Sequence, residues 1–175
     1  MIGNDIVDLQ QSRVENNWLR KGWLDKVFTA DEIALVHNEC ERNPELMVWL
    51  LWSMKEAAYK VWNRTTRVSC FSPKSFACSF LDYSSFSGTV SNKGELYTTS
   101  SLITTEFIHT VATATNNLAS PNVYFSDADT DEALPANLSL LKDEHGMPFI
   151  RHESSGVKNI ASKSHHGRFQ AIVYC

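Results

Sequence analysis

Two carboxylates and one ammonium group are the side chains of this sequence best suited to chemistry on a phosphate. Glu56 and Lys60 stand four residues apart in a helical pattern, which places both on one face of the predicted helix. Asp5 lies two residues after Gly3 in a short apolar segment. Carboxylates bind hard cations such as Mg²⁺ and accept protons, whereas an ammonium group balances phosphate charge. The Glu56–Lys60 pair could therefore hold a metal ion and a phosphate side by side.

The same residues also allow an ordinary structural role. A glutamate followed by a lysine four residues later is a common stabilising pair on helix surfaces, worth about 0.2–0.5 kcal/mol. Asp5 could be a turn aspartate, and Ser164-His165 a polar loop before the last strand. Residue types and spacing alone leave both interpretations open.

Two segments resemble signatures of the 4′-phosphopantetheinyl transferase superfamily, which includes the holo-acyl-carrier-protein synthases and the surfactin-synthetase-activating type. Gly3-Asn4-Asp5 resembles the family's Gly-x-Asp segment. The family's Trp/Phe-x-x-Lys-Glu-x-x-x-Lys helix is matched by Trp52, Lys55, Glu56 and Lys60. The second match is specific, and the two occur in the expected order.

Weaker similarity extends toward the C-terminus. The segment His145-Gly146-Met147-Pro148 resembles the family's Asn-Gly-Lys-Pro turn, and residues 162–172 resemble its Ser-x-Ser/Thr-His segment. Residues 83–135 are weakly covered and read as an insertion or an elaborated sheet. No function is assigned to them.

The resemblance implies a reaction in which the phosphopantetheine arm of coenzyme A is transferred, with Mg²⁺, to a serine of an acyl or peptidyl carrier protein. Asp5 and Glu56 would bind the Mg²⁺ ion. Glu56 would also accept the proton of the incoming serine, and Lys60 would steady the phosphate. The implied contacts to coenzyme A come from Lys55, Lys60, Arg64, Ser162, Ser164 and His165.

Two departures from the family pattern concern the residues around these positions. Asn63-Arg64-Thr65 stands where the small synthases have a glycine-rich turn, so the nucleotide contacts differ, although Arg64 could still grip a phosphate. Val7 stands where the surfactin-type enzymes have a third acid. Asp8 is interpreted as structural.

Carrier proteins used by this family are acidic, so their recognition needs a basic, partly apolar surface. The candidates for that surface are Arg13, Arg20, Lys21, Trp23 and Lys26. The resemblance also implies fatty-acid or polyketide biosynthesis as the setting, and a homotrimer whose active site is shared between subunits.

Composition excludes several other classes. With 175 residues and 43% hydrophobic content, residues 1–175 are expected to form one domain. The longest apolar run, 46–52, is too short to span a bilayer, which predicts a soluble cytoplasmic protein. Four cysteines without a CxxC pair argue against zinc and disulfides, and a net charge of -4 argues against non-specific nucleic-acid binding.

Hydrophobic periodicity predicts an α+β fold, an antiparallel sheet packed around a long central helix in a single phosphopantetheinyl transferase unit. The predicted helices are 14–24, one starting at Thr29 with a capping box, 45–63 after Pro44, and 130–144 interrupted by Pro135. The predicted strands are 1–9, 75–82, 86–91, 95–99, 102–114, 148–152 and 170–174.

Two other functions use the same residues. A magnesium-dependent phosphoester hydrolase would employ the carboxylates with water as the nucleophile. A non-catalytic module that binds coenzyme A or a carrier is the second alternative, for which the missing glycine turn is the hint. A transition-metal site at His165-His166 has weak support because no third ligand has suitable spacing.

Overall fold

The chain folds into α-helices and antiparallel β-strands, which confirms the predicted α+β class. The computed structural model describes residues 1–38, 43–82, 84–114, 120–127 and 134–175. Within them the helices are α1 Leu9–Glu15, α2 Trp23–Val27, α3 Ala30–Asn38 and α4 Pro44–Thr66, with a 3₁₀ turn at Pro73–Ser75. The strands are β1 Ile2–Asp8, β2 Ala77–Asp82, β3 Ser87–Asn92, β4 Glu95–Ile103, β5 Phe107–Ala114, β6 Asn122–Asp127, β7 Leu138–Lys142, β8 Pro148–His152, β9 Lys158–His166 and β10 Phe169–Tyr174.

The strands form two antiparallel sheets, not the one that was predicted. The first sheet has the order β1-β5-β4-β3-β2 and the second the order β6-β10-β9-β8-β7. Helix α4 packs against the first sheet, mainly on β1 and β5, and β1 also contacts β9 and β10 of the second sheet. β1 is therefore the strand at which α4 and both sheets meet.

Helix α4 begins and ends where the sequence provides caps. The Asn43 side chain accepts the backbone N–H of Leu46 at 3.0 Å, and Pro44 occupies the first turn. Its buried side is continuous with the main core and includes Met54 and Val61. Arg67 ends the helix in a left-handed conformation, with φ 61°. The predicted helix 45–63 is confirmed, with three more residues at its C-terminal end.

The capping box predicted at the start of α3 is also present. The hydroxyl of Thr29 accepts the backbone N–H of Glu32 at 3.3 Å, and the Glu32 carboxylate accepts the N–H of Thr29 at 2.8 Å. These two bonds satisfy donors that the first turn of a helix leaves free.

Two helix predictions are wrong. In place of a helix over 14–24, α1 already begins after Asp8, whose carboxylate accepts the N–H of Gln10 at 2.9 Å, and ends before Asn16. In place of a helix over 130–144, residues 138–142 form β7, because Leu138 and its neighbours pair with β8 and enter a second apolar core. Residues 130–133 of that prediction lie outside the described residues.

The strand predictions are confirmed for β1, β2, β3, β8 and β10. The break predicted between 99 and 102 is wrong, since β4 continues to Ile103 and the turn lies at residues 104–106. β6 and β9 were not predicted. Among the described residues, no helix combines the length and apolarity that a membrane span requires.

Candidate active site

A close approach of β1 to α4 brings Asp5 beside Glu56. A Cβ atom at Gly3 would lie 2.3 Å from the carbonyl oxygen of Ala57, a distance at which atoms overlap, so only glycine permits this packing. Asp5 follows two residues later and shares the strand face of Gly3. Asp5 and Glu56 then line one pocket of about 510 Å³. The spacing of the Gly-x-Asp segment thus has a direct structural reason.

Lys60 lies at the side of this pair. Its ammonium group donates to the backbone oxygen of Asn4 at 2.6 Å and lies 3.6 Å from Oδ1 of Asp5. Its side chain is 30% exposed, so it also faces solvent. The structure therefore brings together the three residues that the sequence singled out.

A row of side chains on β9 seals the free edge of β1. Alternate N–H groups of an edge strand point away from its partner, which here is β5. The N–H groups of Asn4 and Ile6 donate to the hydroxyls of Ser162 and Ser164, both at 3.1 Å. The N–H of Asp8 donates to Nδ1 of His166 at 2.9 Å. The alternation of these β9 residues at every second position is a signal that the sequence analysis missed.

This row changes the interpretation of the Ser-x-Ser-His segment. Ser162 and Ser164 are buried, and their hydroxyls are engaged with β1, whereas His165 faces outward and lines the pocket that holds Asp5 and Glu56. The resemblance implied a site shared between subunits. In the structure, β9 of the same chain brings this segment to β1, so a second subunit is not needed to supply it.

Lys55 and Arg64 point away from the carboxylate pocket. Lys55 is fully buried and its ammonium contacts both carboxylate oxygens of Glu32 at 2.8 Å, together with the backbone oxygens of Pro73 and Phe76. These contacts hold the chain before β2 against α3 and α4. The prediction that Lys55 binds coenzyme A finds no support in this arrangement.

Arg64 joins α4 to the second sheet. It is 8% exposed, and its guanidinium donates to the backbone oxygens of Pro148, at 2.9 Å, and Ala161. Burial lowers the pKa of this guanidinium. The two contacts occupy a group that was predicted to grip a phosphate, and they give Arg64 a structural role.

Burial and charge set the protonation of the two carboxylates. Burial, together with the negative charge of Asp5, raises the pKa of Glu56 to about 7, although Lys60 opposes the shift. Burial also raises the pKa of Asp5, against the lowering effects of Lys60 and of the Ser164 and Ser53 hydroxyls. A carboxylate with a pKa near neutrality is suited to accept a proton and return it.

The carboxylate pair also fits a divalent cation. Oδ2 of Asp5 is buried and has no hydrogen-bond partner among the described residues. The repulsion between Asp5 and Glu56 is relieved when a cation binds both. No cluster of three or more His, Cys, Asp or Glu side chains with metal-binding geometry exists in the described part of the chain. Asp5 and Glu56 are two carboxylates, which is the number that Mg²⁺ commonly takes when substrate phosphates and water complete its shell.

Aromatic side chains form the opposite wall of the pocket. Trp23, Trp49 and Trp52 line it together with the exposed Lys26. The rings of Trp23 and Trp49 contact each other edge to face at 6.0 Å. The sequence analysis noted Trp23 and Trp52 but not Trp49.

Exposed apolar side chains adjoin the predicted basic surface. Val14 and Leu19 are 79% and 74% exposed, and Arg20 and Lys21 follow directly with exposed side chains. Arg13 forms an ion pair with Glu45 at 2.9 Å. Among the described residues, no acid forms an ion pair with Arg20, Lys21 or Lys26, whereas Arg13 is already paired.

Three adjoining cavities lie beside the second sheet, and the first of them is lined by His165. A cavity of about 720 Å³ is lined by His165, Lys163 and Lys142. A smaller one of about 170 Å³ shares Lys163 with it and is also lined by Lys60 and Arg64. A third, of about 570 Å³, lies beside Arg67. These cavities present basic side chains next to the carboxylate pocket.

One comparison with known proteins returned a match. The family model described as the 4′-phosphopantetheinyl transferase superfamily matches residues 1–114. This range covers β1 to β5 and α4, which carry Asp5, Glu56 and Lys60, whereas β9 with His165 lies beyond it. No curated protein and no solved structure shows significant similarity to the chain.

Proposed function

Since the chain belongs to the 4′-phosphopantetheinyl transferase superfamily, we propose that it transfers the 4′-phosphopantetheine group of coenzyme A to a serine of an acyl or peptidyl carrier protein, in the manner of a holo-acyl-carrier-protein synthase. The observation that carries this proposal is the convergence of Asp5 from β1 and Glu56 from α4 in one pocket. Lys60 stands beside them, 3.6 Å from Asp5.

The reaction is one displacement at phosphorus. The serine oxygen forms a bond to the phosphorus that bears the pantetheine arm, and the bond from that phosphorus to the bridging oxygen breaks. Adenosine 3′,5′-bisphosphate leaves with the electron pair. Glu56 accepts the serine proton, and its raised pKa of about 7 in the metal-free protein means that the pocket accommodates the protonated carboxyl.

Asp5 and Glu56 are the residues that would hold Mg²⁺. When bound, Mg²⁺ supplies positive charge that stabilises the negative charge gathering on the leaving phosphate. Lys60 adds a second positive charge at the same side of the pocket. The exposed imidazole of His165 borders both this pocket and the neighbouring basic cavity, so it can donate a hydrogen bond to the diphosphate.

The basic cavities suit the nucleotide end of coenzyme A, which carries a third phosphate. Lys163 lines two of them, and Arg67 lines a third together with His145. Arg64 also lines one of these cavities, although its guanidinium already donates to two backbone oxygens, whereas Lys55 lines none of them. Charge at these cavities would replace the contacts that the family's glycine-rich turn provides.

The carrier would dock on the surface that includes Val14, Leu19, Arg20 and Lys21. Its apolar side chains are exposed and its basic ones complement an acidic carrier. Lys26 connects this surface to the pocket, since it lines the wall that faces Glu56. A serine on the carrier can thus approach Glu56 from this side.

The test is the intact mass of several apo carrier proteins after incubation with the protein, coenzyme A and Mg²⁺. A gain of one phosphopantetheine group is expected, and it should be lost in Glu56→Gln and with a chelator. Glu95→Gln, the same exchange at an exposed position of β4, serves as the control. Release of bisphosphate without carrier modification would indicate a hydrolase, and coenzyme A binding without any product would indicate a binding module. The molar mass in solution tests the predicted homotrimer.

A further inference from the structure

The hydroxyl of Ser164 makes two contacts with β1. It accepts the backbone N–H of Ile6 at 3.1 Å and donates to Oδ1 of Asp5, also at 3.1 Å. Ser164 is 5% exposed, so water has little access to replace either bond. A hydroxyl has a single hydrogen to donate, and Asp5 receives it.

The two oxygens of Asp5 have different surroundings. Oδ1 receives the Ser164 hydroxyl and lies 3.6 Å from the Lys60 ammonium. Oδ2 is buried and accepts no hydrogen bond among the described residues, although the buried Ser53 hydroxyl on α4 lies close enough to lower the pKa of Asp5. Since a carboxylate is planar and rigid, the contacts to Oδ1 also fix where Oδ2 lies.

We propose that Ser164 is a positioning residue that orients the Asp5 carboxylate so that Oδ2 stays available to a divalent cation. The inference rests on the proposed function of the site, because it concerns the ion that the Asp5 and Glu56 pair would hold. It differs from the role implied by resemblance, in which Ser164 contacts a phosphate of coenzyme A. Here Ser164 acts through Asp5.

Ser162 provides a matched comparison within the same strand. Its hydroxyl accepts the N–H of Asn4 at 3.1 Å, and its exposure of 4% is close to that of Ser164. Among the described residues, no carboxylate accepts a hydrogen bond from the Ser162 hydroxyl. Ser162→Ala and Ser164→Ala therefore each remove one acceptor from β1, but only Ser164→Ala removes a donor to Asp5.

The experiment measures Mn²⁺ affinity from the loss of the free Mn²⁺ EPR signal, with coenzyme A present and no carrier. Loss of a group that orients a metal ligand commonly lowers affinity 10- to 100-fold. We expect Ser164→Ala to weaken Mn²⁺ binding at least about 10-fold. Ser162→Ala should change it less than about 2-fold, and Ser164→Thr, which keeps the hydroxyl, should restore most of the affinity.

Equal Mn²⁺ affinities for the two alanine variants would overturn the proposal, as would failure of Ser164→Thr to bind better than Ser164→Ala. If Ser164→Ala does not fold, Ser164→Cys replaces it, because a thiol fills the site but is a weak donor. A wild-type affinity in that variant would overturn the proposal. If the wild type modifies a carrier yet binds no Mn²⁺, the role of Ser164 fails while the transfer stands. If it binds Mn²⁺ but modifies no carrier, the proposed function fails, and the comparison of the variants still tests Ser164.

Discussion

Replacing Glu56 by glutamine should stabilise the metal-free protein at neutral and alkaline pH. In the folded protein the pKa of Glu56 is raised from 4.5 to about 7 by burial and by Asp5. Its charged form is therefore disfavoured by folding. The stabilising contribution of the protonated carboxyl is fully present below pH 4.5 and disappears as the pH rises through about 7.

The size of this effect follows from the two pKa values. A difference from 4.5 to about 7 corresponds to about 3 kcal/mol of unfolding free energy when the pH is well above both. Between pH 5 and pH 8 the expected change is about 2 to 3 kcal/mol. Glutamine is neutral at every pH, so Glu56→Gln removes this dependence. Relative to wild type, the variant should become more stable across that interval.

The assay is urea unfolding in a chelator at several pH values, followed by the fluorescence of the five tryptophans. Glu95→Gln on β4 controls for the removal of one negative charge from an exposed position. Added Mg²⁺ should stabilise the wild type at pH 8 more than Glu56→Gln, because the ion needs both carboxylates. A difference between Glu56→Gln and wild type that stays constant from pH 5 to pH 8 would refute the assignment of a raised pKa to Glu56.

Three further exchanges test other parts of the structure. Gly3→Ala should lower the unfolding free energy by about 1 to 3 kcal/mol and slow phosphopantetheine transfer, because the added Cβ would overlap the carbonyl oxygen of Ala57. An unchanged urea midpoint and an unchanged transfer rate would contradict the close packing of β1 on α4. Lys55→Met should cost about 3 to 5 kcal/mol in urea unfolding, because Glu32 would remain charged and buried. A lowered coenzyme A affinity of folded Lys55→Met in calorimetry would instead restore Lys55 as a ligand. Leu19→Glu should leave stability within about 0.5 kcal/mol but raise the KM for an acidic carrier severalfold, and an unchanged KM would place the carrier elsewhere.

Lys55 and Glu56 are neighbours on α4, and the sequence could not predict which of the two lines the pocket. Successive side chains on a helix point about 100° apart, so Lys55 and Glu56 cannot face the same environment. The motif contains both and does not say which of them lines the pocket with Asp5. The position of α3 decided it, because Glu32 from the capping box lies where it can pair with Lys55.

Strand β7 is a second feature that the local sequence pattern could not predict. Residues 138–142 contain apolar side chains whose pattern is compatible with a short helix or a buried strand. Their pairing with β8 excludes the helix, and the backbone hydrogen bonds of that pairing are not visible in the segment itself. The secondary structure of this segment therefore depends on its pairing with β8 and not on its own apolar pattern.

The sequence by itself determined the features that depend on neighbours along the chain. These are α4 with Pro44 in its first turn, the capping box of α3, the spacing that places Glu56 near Lys60, and the match to the superfamily. Only the tertiary structure decided which side chains line the pocket that holds Asp5 and Glu56. Ser164 lies 159 residues from Asp5, and its hydroxyl contacts Asp5 because β9 meets the free edge of β1. The physical reason is that helix caps and periodicity act over a few residues, whereas burial, strand pairing and the pKa of a carboxylate depend on groups that only folding brings together.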